Sequence, residues 1–284
     1  MRVSKGKRFF TVFIGLIIVL VAVCGNPGVN ARASAKLPKH LKILAVGNSL
    51  SYDSLYYFYG IANSLGVEDI TVGNLYIGNC SLKRHWNNAR KNKNAYEYSK
   101  NADGKWKVYE SVSIKQALKD ESWDYVMLSQ YSGHAGKPET YKPLKKLIRY
   151  IKKHSGKKTK LIWNMMWAYE EDFTGKQFSN YDYDQKTMCE EIESATESVI
   201  ARNKDISLII PSGRTIQYLR DTSGRTDLTW DGRHLSKKGR YAVGITLASS
   251  VLRVSPAQIT YCPKGVSGKM RKEAVNAAIR SKKK

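Results

Sequence analysis

A three-layer α/β/α sandwich around a central, mainly parallel five-stranded sheet is the fold that this sequence predicts. Five short apolar runs recur along the chain, amphipathic stretches with helical spacing lie between them, and several runs end in glycine or polar turns. Runs of roughly four to eight apolar residues suit strands covered on both faces, and parallel strands need a crossover, usually a helix, between them.

The elements follow in order. Arg2, Lys5, Lys7 and Arg8 precede an uncharged run over residues 9–24 (FFTVFIGLIIVLVAVC), then Gly25, Pro27 and the string Ala31-Arg32-Ala33-Ser34-Ala35. A basic head, an apolar middle shorter than the ~20 residues of a membrane span, and overlapping A-x-A sites predict a secretory signal over 1–35, cleaved after Ala33 or Ala35. An uncleaved membrane anchor stays open as the alternative. Lipid attachment at Cys24 is disfavoured by Val23, where such signals usually carry Gly, Ala or Ser. The chain is therefore expected to be secreted or associated with the cell envelope.

Residues 41–46 (LKILAV) read as the first strand, 55–65 as a helix and 70–77 as the second strand. Over 95–111, two polar-aromatic strands flank Asn101-Ala102-Asp103-Gly104, which predicts a small β-hairpin insertion. A short helix near 114–118 leads to the third core strand at 125–129. Leu144, Leu147, Ile148 and Ile151 fall at i, i+3, i+4 and i+7 and make one apolar helical stripe. A strand at 161–167, a helix at 184–202, a strand at 206–210 and a helix at 236–252 with Ser236 as its N-cap complete the series. The expected organisation is a signal over 1–35, one α/β domain over 36–262 and a basic C-terminal tail over 263–284.

Composition narrows the functional classes. The chain carries 48 Lys and Arg against 24 Asp and Glu, a net charge of +24, yet 42% of its residues are hydrophobic. That is too apolar for a disordered polycation. Residues 142–160 hold nine basic residues and no acid, and the stretch after Pro263 holds eight against Glu273 alone. Such a surface attracts polyanions, and export would make an anionic cell-wall polymer the expected one. No aromatic-interleaved nucleic-acid motif accompanies the charge, and Gly156-Lys157-Lys158-Thr159 lacks the upstream glycine of a phosphate loop, so neither specific nucleic-acid nor nucleotide binding is expected. Cys80, Cys189 and Cys262 are too few and too widely spaced for a disulfide framework or a zinc site, and are expected as buried small hydrophobes.

In sheets of this kind ligands sit outside the carboxyl ends of the strands, so chemistry belongs in the loops that follow them. The first strand runs into Gly47-Asn48-Ser49-Leu50-Ser51, which places the Ser49 hydroxyl at a strand-to-helix turn beside helix-terminal N–H groups. Near the far end, Asp231-Gly232-Arg233-His234 precedes the last predicted helix. An Asp three residues before a His can curl back to hold one ring nitrogen, leaving the other to accept a serine proton.

Together these blocks resemble the SGNH/GDSL hydrolase superfamily, which carries a Gly-Asp-Ser-Leu block after strand one and a D-x-x-H block near the C-terminus. The resemblance spans residues 41–252, with Asn48 in place of the usual Asp. It implies a flavodoxin-like sheet, Ser49 as nucleophile, His234 as general base and Asp231 as its orienter. It also implies an oxyanion hole from the Ser49 and Gly78 amides, Gly78 being the match in the block after strand two. The third block, normally Gly-x-Asn-Asp, here reads Ser129-Gln130-Tyr131-Ser132-Gly133-His134. Some sugar-acetylesterase branches use Gln at this point, which makes Gln130 the expected side-chain donor. His85, Trp167 and Trp230 are candidates for substrate binding, with Trp163 and Tyr169 lining the end of the fourth predicted strand. The implied activity is cleavage of an O-acyl ester, most readily an acetyl group on carbohydrate or on another small ester, with no metal or organic cofactor. Transfer of the acyl group to a sugar hydroxyl, and a non-catalytic polyanion-binding protein of the cell envelope, remain open alternatives.

Overall fold

A computed structural model describes residues 37–283. The expected signal over 1–35 lies outside the described residues. Among the described residues no helix is long and apolar enough to cross a membrane.

A single seven-stranded sheet organises the chain. Its strands are β1 (His40–Gly47), β2 (Asp69–Tyr76), β3 (Tyr96–Asn101), β4 (Trp106–Val112), β5 (Tyr125–Leu128), β6 (Lys160–Asn164) and β7 (Ile206–Ile210), in the order β4-β3-β2-β1-β5-β6-β7. The five expected strands are β2, β1, β5, β6 and β7, which pair in parallel. Here the sequence expectation needs correction. The hairpin expected over 95–111 is present as β3 and β4, but β3 pairs antiparallel along β2 and carries β4 with it, so the sheet has seven strands and not five. Tyr96, Tyr98 and Ser99 of β3 are buried, whereas β4 is the exposed edge. A two-sided core strand needs apolar residues at nearly every position, so a polar-aromatic hairpin can join the sheet only at its rim.

Helices cover the sheet in two groups. The first contains α1 (Ser49–Leu55), α2 (Phe58–Ser64), α7 (Ser212–Ser223), α8 (Lys237–Val251) and α9 (Gly268–Arg280), and the second α3 (Leu82–Arg90), α4 (Ile114–Asp120) and α5 (Leu144–His154). The parallel crossovers run one way from β1 to β2 and the other way from β5 through β7, so right-handed connections send their helices to opposite faces. The α5 stripe Leu144, Leu147, Ile148 and Ile151 is fully buried while its lysines face outward, each of these side chains contributing ~1.5–3 kcal/mol. The remaining long helix, α6 (Gln185–Ala195), runs into a wider turn at Thr196–Ile200.

The C-terminal stretch differs from the expected tail. Residues 268–280 form α9, which packs on α7 and α8 and buries Met270, Ala274, Ala277 and Ala278. This explains α8, which is buried on nearly all sides: one face meets the sheet side of the core and another is covered by α9. The stretch reads as a tail because small alanines, rather than large apolar residues, make its buried face. The three described cysteines are free; Cys80 is buried, Cys189 is partly so, and Cys262 is exposed, contrary to the expectation for that residue.

Candidate active site

The turn after β1 is built to expose one hydroxyl. Asn48 caps α1, its Oδ1 accepting from the Leu50 amide at 3.0 Å while Ser51 Oγ accepts from the Asn48 amide at 3.0 Å. Gly47 is required here, since a Cβ would lie 2.3 Å from Ser51 Oγ. Ser51 in turn sits 2.6 Å from Asn74 Oδ1 on β2, which ties the turn to the sheet. Ser49 is left as the first residue of α1, half-buried, with its amide among those that have no intrahelical acceptor.

Facing it is a tight loop closed by a bridge between Thr229 and Leu235, in which the Trp230 amide donates to the His234 carbonyl at 3.0 Å. Gly232 turns the chain with φ +80, a region that L side chains rarely enter. Asp231 Oδ1 accepts from the His234 and Arg233 amides at 2.7 and 3.1 Å, and its Oδ2 lies 2.6 Å from His234 Nδ1. The opposite ring nitrogen, His234 Nε2, lies 2.8 Å from Ser49 Oγ. With Nδ1–H donated to the carboxylate, Nε2 carries the lone pair that accepts from the serine hydroxyl. Burial works against ionising Asp231, but the loop amides and the imidazole outweigh it and hold its carboxyl below the ordinary range. Asp231, His234 and Ser49 thus form one continuous hydrogen-bonded line across the sheet's carboxyl end.

Contacts from elsewhere in the fold hold this loop in place, one of them from a residue the sequence reading passed over. Asp53 lies one helical turn beyond Ser49 on α1; its Oδ2 accepts from the Leu235 amide at 2.8 Å and its Oδ1 from Arg240 Nε at 2.7 Å. Burial raises the Asp53 pKa, and the Arg240 guanidinium opposes that rise. The signal was present as an acid at i+4 from Ser49, a spacing that places both on one helix face. Another contact comes from Trp167, whose Nε1 donates to the Arg233 carbonyl at 2.7 Å.

Several expected roles change. Trp167 is 1% exposed, so it supports the loop from beneath rather than offering a ring to a ligand; Trp163 and Tyr169 are buried as well. His85 is fully buried on α3, stacked on Tyr96 with Nδ1 2.9 Å from the Tyr96 hydroxyl, and burial drives its pKa down to about 3. It is a neutral core residue, not a surface ligand contact. Gln130 is buried too: its Oε1 accepts from the Leu82 and Tyr131 amides, and its Nε2 donates to the Thr140 carbonyl and hydroxyl. Its amide nitrogen is turned toward Thr140 and its oxygen is taken by two backbone amides, so Gln130 braces the loop after β5.

Gly78 and Trp230 stay at the surface. Gly78 is exposed in the turn after β2, two residues before Cys80, whose carbonyl accepts from Asn48 Nδ2 at 3.4 Å. Trp230 is 67% exposed and lies flat on the His234 ring, centroids 5.4 Å apart and planes at 15°. Its second face is open. Among the described residues no cluster of three or more His, Cys, Asp or Glu is arranged to hold a metal ion.

The family described as "Domain of unknown function (DUF4886)" matches residues 42–281. A solved DUF4886 family protein from Bacteroides uniformis is 34% identical, covering 85% of this chain and 94% of its own, with a TM-score of 0.79. An acetylxylan esterase from Geobacillus stearothermophilus aligns at 14% identity over 80% of this chain and 97% of its own, with a TM-score of 0.46. No curated protein matches.

Proposed function

This chain belongs to the DUF4886 family, and we propose that it is a serine esterase of the SGNH type acting on O-acyl groups of carbohydrate. The observation that carries the proposal is the line Asp231 Oδ2–His234 Nδ1, 2.6 Å, continued by His234 Nε2–Ser49 Oγ, 2.8 Å. In the reaction, Ser49 Oγ bonds to the ester carbonyl carbon as its proton passes to His234 Nε2. Collapse of the tetrahedral intermediate breaks the C–O bond to the alcohol, which leaves with that proton. A water then gives a proton to His234 and its oxygen to the acyl carbon, and the acid departs as the proton returns to Ser49. Asp231, ionised because its loop amides and the imidazole stabilise the charge, orients the ring and balances the imidazolium.

The oxyanion is assigned to the Ser49 and Gly78 amides, the first at a helix start and the second in the turn beside Asn48. The carbohydrate preference rests on the open face of Trp230, an amphipathic ring suited to stacking on a sugar. Export through residues 1–35 would place the enzyme where such esters occur in wall and plant polymers.

Labelling by a fluorophosphonate probe and hydrolysis of p-nitrophenyl acetate and acetylated xylan test the reading. Ser49→Ala is expected to abolish labelling, and Ser49→Ala and His234→Ala to lower kcat/KM by at least ~10³. Equal labelling of wild type and Ser49→Ala would end it.

A further inference from the structure

Two guanidinium groups converge on the turn that carries Gly78. Arg84, on the first turns of α3, donates through Nη1 to the Gly78 carbonyl at 3.4 Å, and Arg233, within the 231–234 loop, donates through Nη1 to Asn79 Oδ1 at 3.4 Å. Asn79 itself is exposed and holds φ +53. Arg233 Nε lies 3.7 Å from Asp231 Oδ2, but that oxygen is already the partner of His234, and Arg233 Nη2 has no hydrogen bond among the described residues. The Arg233 side chain is 25% exposed, enough to meet a ligand yet shielded enough that its charge is only partly screened. The charge also reaches the loop after β5, where it opposes the burial that raises the Tyr131 pKa. Arg84 is exposed, and neither arginine has a carboxylate that it alone engages.

We infer that Arg233 and Arg84 form an anion subsite beside Ser49, and that the preferred ester carries a carboxylate or phosphate group close to the acylated hydroxyl. The inference rests on the esterase reading for its substrate and on the arginine geometry for its charge. A guanidinium fork matches the paired oxygens of either anion, whereas a neutral glycan would give neither guanidinium a charge partner of its own. The net charge of +24 acts in the same direction, raising the local concentration of anionic polymer at low ionic strength.

Equilibrium binding tests the subsite without needing turnover. Calorimetry on the purified chain compares a glucuronic-acid-substituted xylooligosaccharide and a xylose phosphate with the unsubstituted, neutral xylooligosaccharide and xylose. At low salt at least one anion is expected to bind about tenfold more tightly than its neutral counterpart, with the preference shrinking as salt rises and falling to about twofold or less in Arg233→Gln/Arg84→Gln. Which anion gains more identifies the source of the charge. Equal affinity for charged and neutral ligands, or a preference unchanged in the double variant, overturns the inference.

Kinetics then connect the subsite to the ester. The ratio of kcat/KM for 4-acetoxybenzoate over phenyl acetate is expected to drop fivefold to tenfold from wild type to the double variant, intrinsic reactivity cancelling in the comparison. A ratio that does not move overturns the link. Failure of the esterase reading looks different: none of the acetates would be hydrolysed in a Ser49-dependent way, while the binding preference would stand.

Discussion

Moving the protein from pH 7.5 to pH 5 is expected to remove about 2 kcal/mol of folding stability through His85 alone. The ring is 0% exposed, its Nε2 has no hydrogen-bond partner among the described residues, and its pKa is held down to about 3, against about 6.5 in an unfolded chain. Below pH 6.5 the unfolded state takes up a proton that the folded state refuses, so the contribution is fully present above that pH and is lost steadily as the pH falls towards 3. At about 1.36 kcal/mol per pH unit the loss reaches ~2 kcal/mol at pH 5 and ~3 kcal/mol at pH 4. Burial also lowers the pKa values of His134 and His154, which act in the same direction, so the His85 share must be isolated by substitution. Urea unfolding at both pH values, for wild type and for His85→Gln, does this: the variant starts less stable but should lose about 2 kcal/mol less on acidification. An equal loss in both proteins would refute the reasoning, as would an imidazole resonance of His85 titrating near pH 6.5.

Asp53→Asn should destabilise the fold by ~3 kcal/mol, because it leaves the Arg240 guanidinium without its charge partner at 2.7 Å; thermal unfolding and ester hydrolysis should fall together as the His234 loop loosens. Trp167→Phe keeps the ring's bulk but removes the bond to the Arg233 carbonyl, so a loss of ~1 kcal/mol with a larger fall in kcat than in KM is expected. Gly239→Ala would bring a Cβ to 2.2 Å from the Leu228 carbonyl oxygen, and a loss of ~2 kcal/mol or more in chemical denaturation should follow. A thiol reagent applied to the native protein should modify Cys262 rapidly and spare Cys80 and Cys189, whose thiols burial pushes up to about 12; fast modification of Cys80 would contradict its burial.

The parallel core was legible because each of its strands is a short, predominantly apolar run, and such runs have few other places to go in a folded chain. Ser49, Asp231 and His234 were legible for a related reason. A glycine turn after a strand and a D-x-x-H spacing are local devices, and their geometry depends on neighbours in sequence. Gln130, His85 and Trp167 were misplaced because their roles depend on neighbours in space. A glutamine amide looks available until Leu82, Tyr131 and Thr140 close around it. A histidine looks like a ligand until Tyr96 from β3 stacks on its ring. Asp53 escaped notice because its i+4 spacing from Ser49 says which helix face it shares but not what it binds. Its value comes from Arg240 and Leu235, which lie more than 180 residues away along the chain.

By itself, then, the sequence determined the order of the five parallel core strands and the helices between them, and it marked Ser49, Asp231 and His234 as candidates, since periodicity and short-range spacing are properties of the chain. Only the tertiary structure decided which polar groups are occupied and which are free. Hydrogen-bond capacity is finite, and long-range packing allocates it: Gln130 is engaged by Leu82, Tyr131 and Thr140, His85 is kept neutral in the core, Trp167 is turned into a support, and Trp230 stays exposed on the His234 ring.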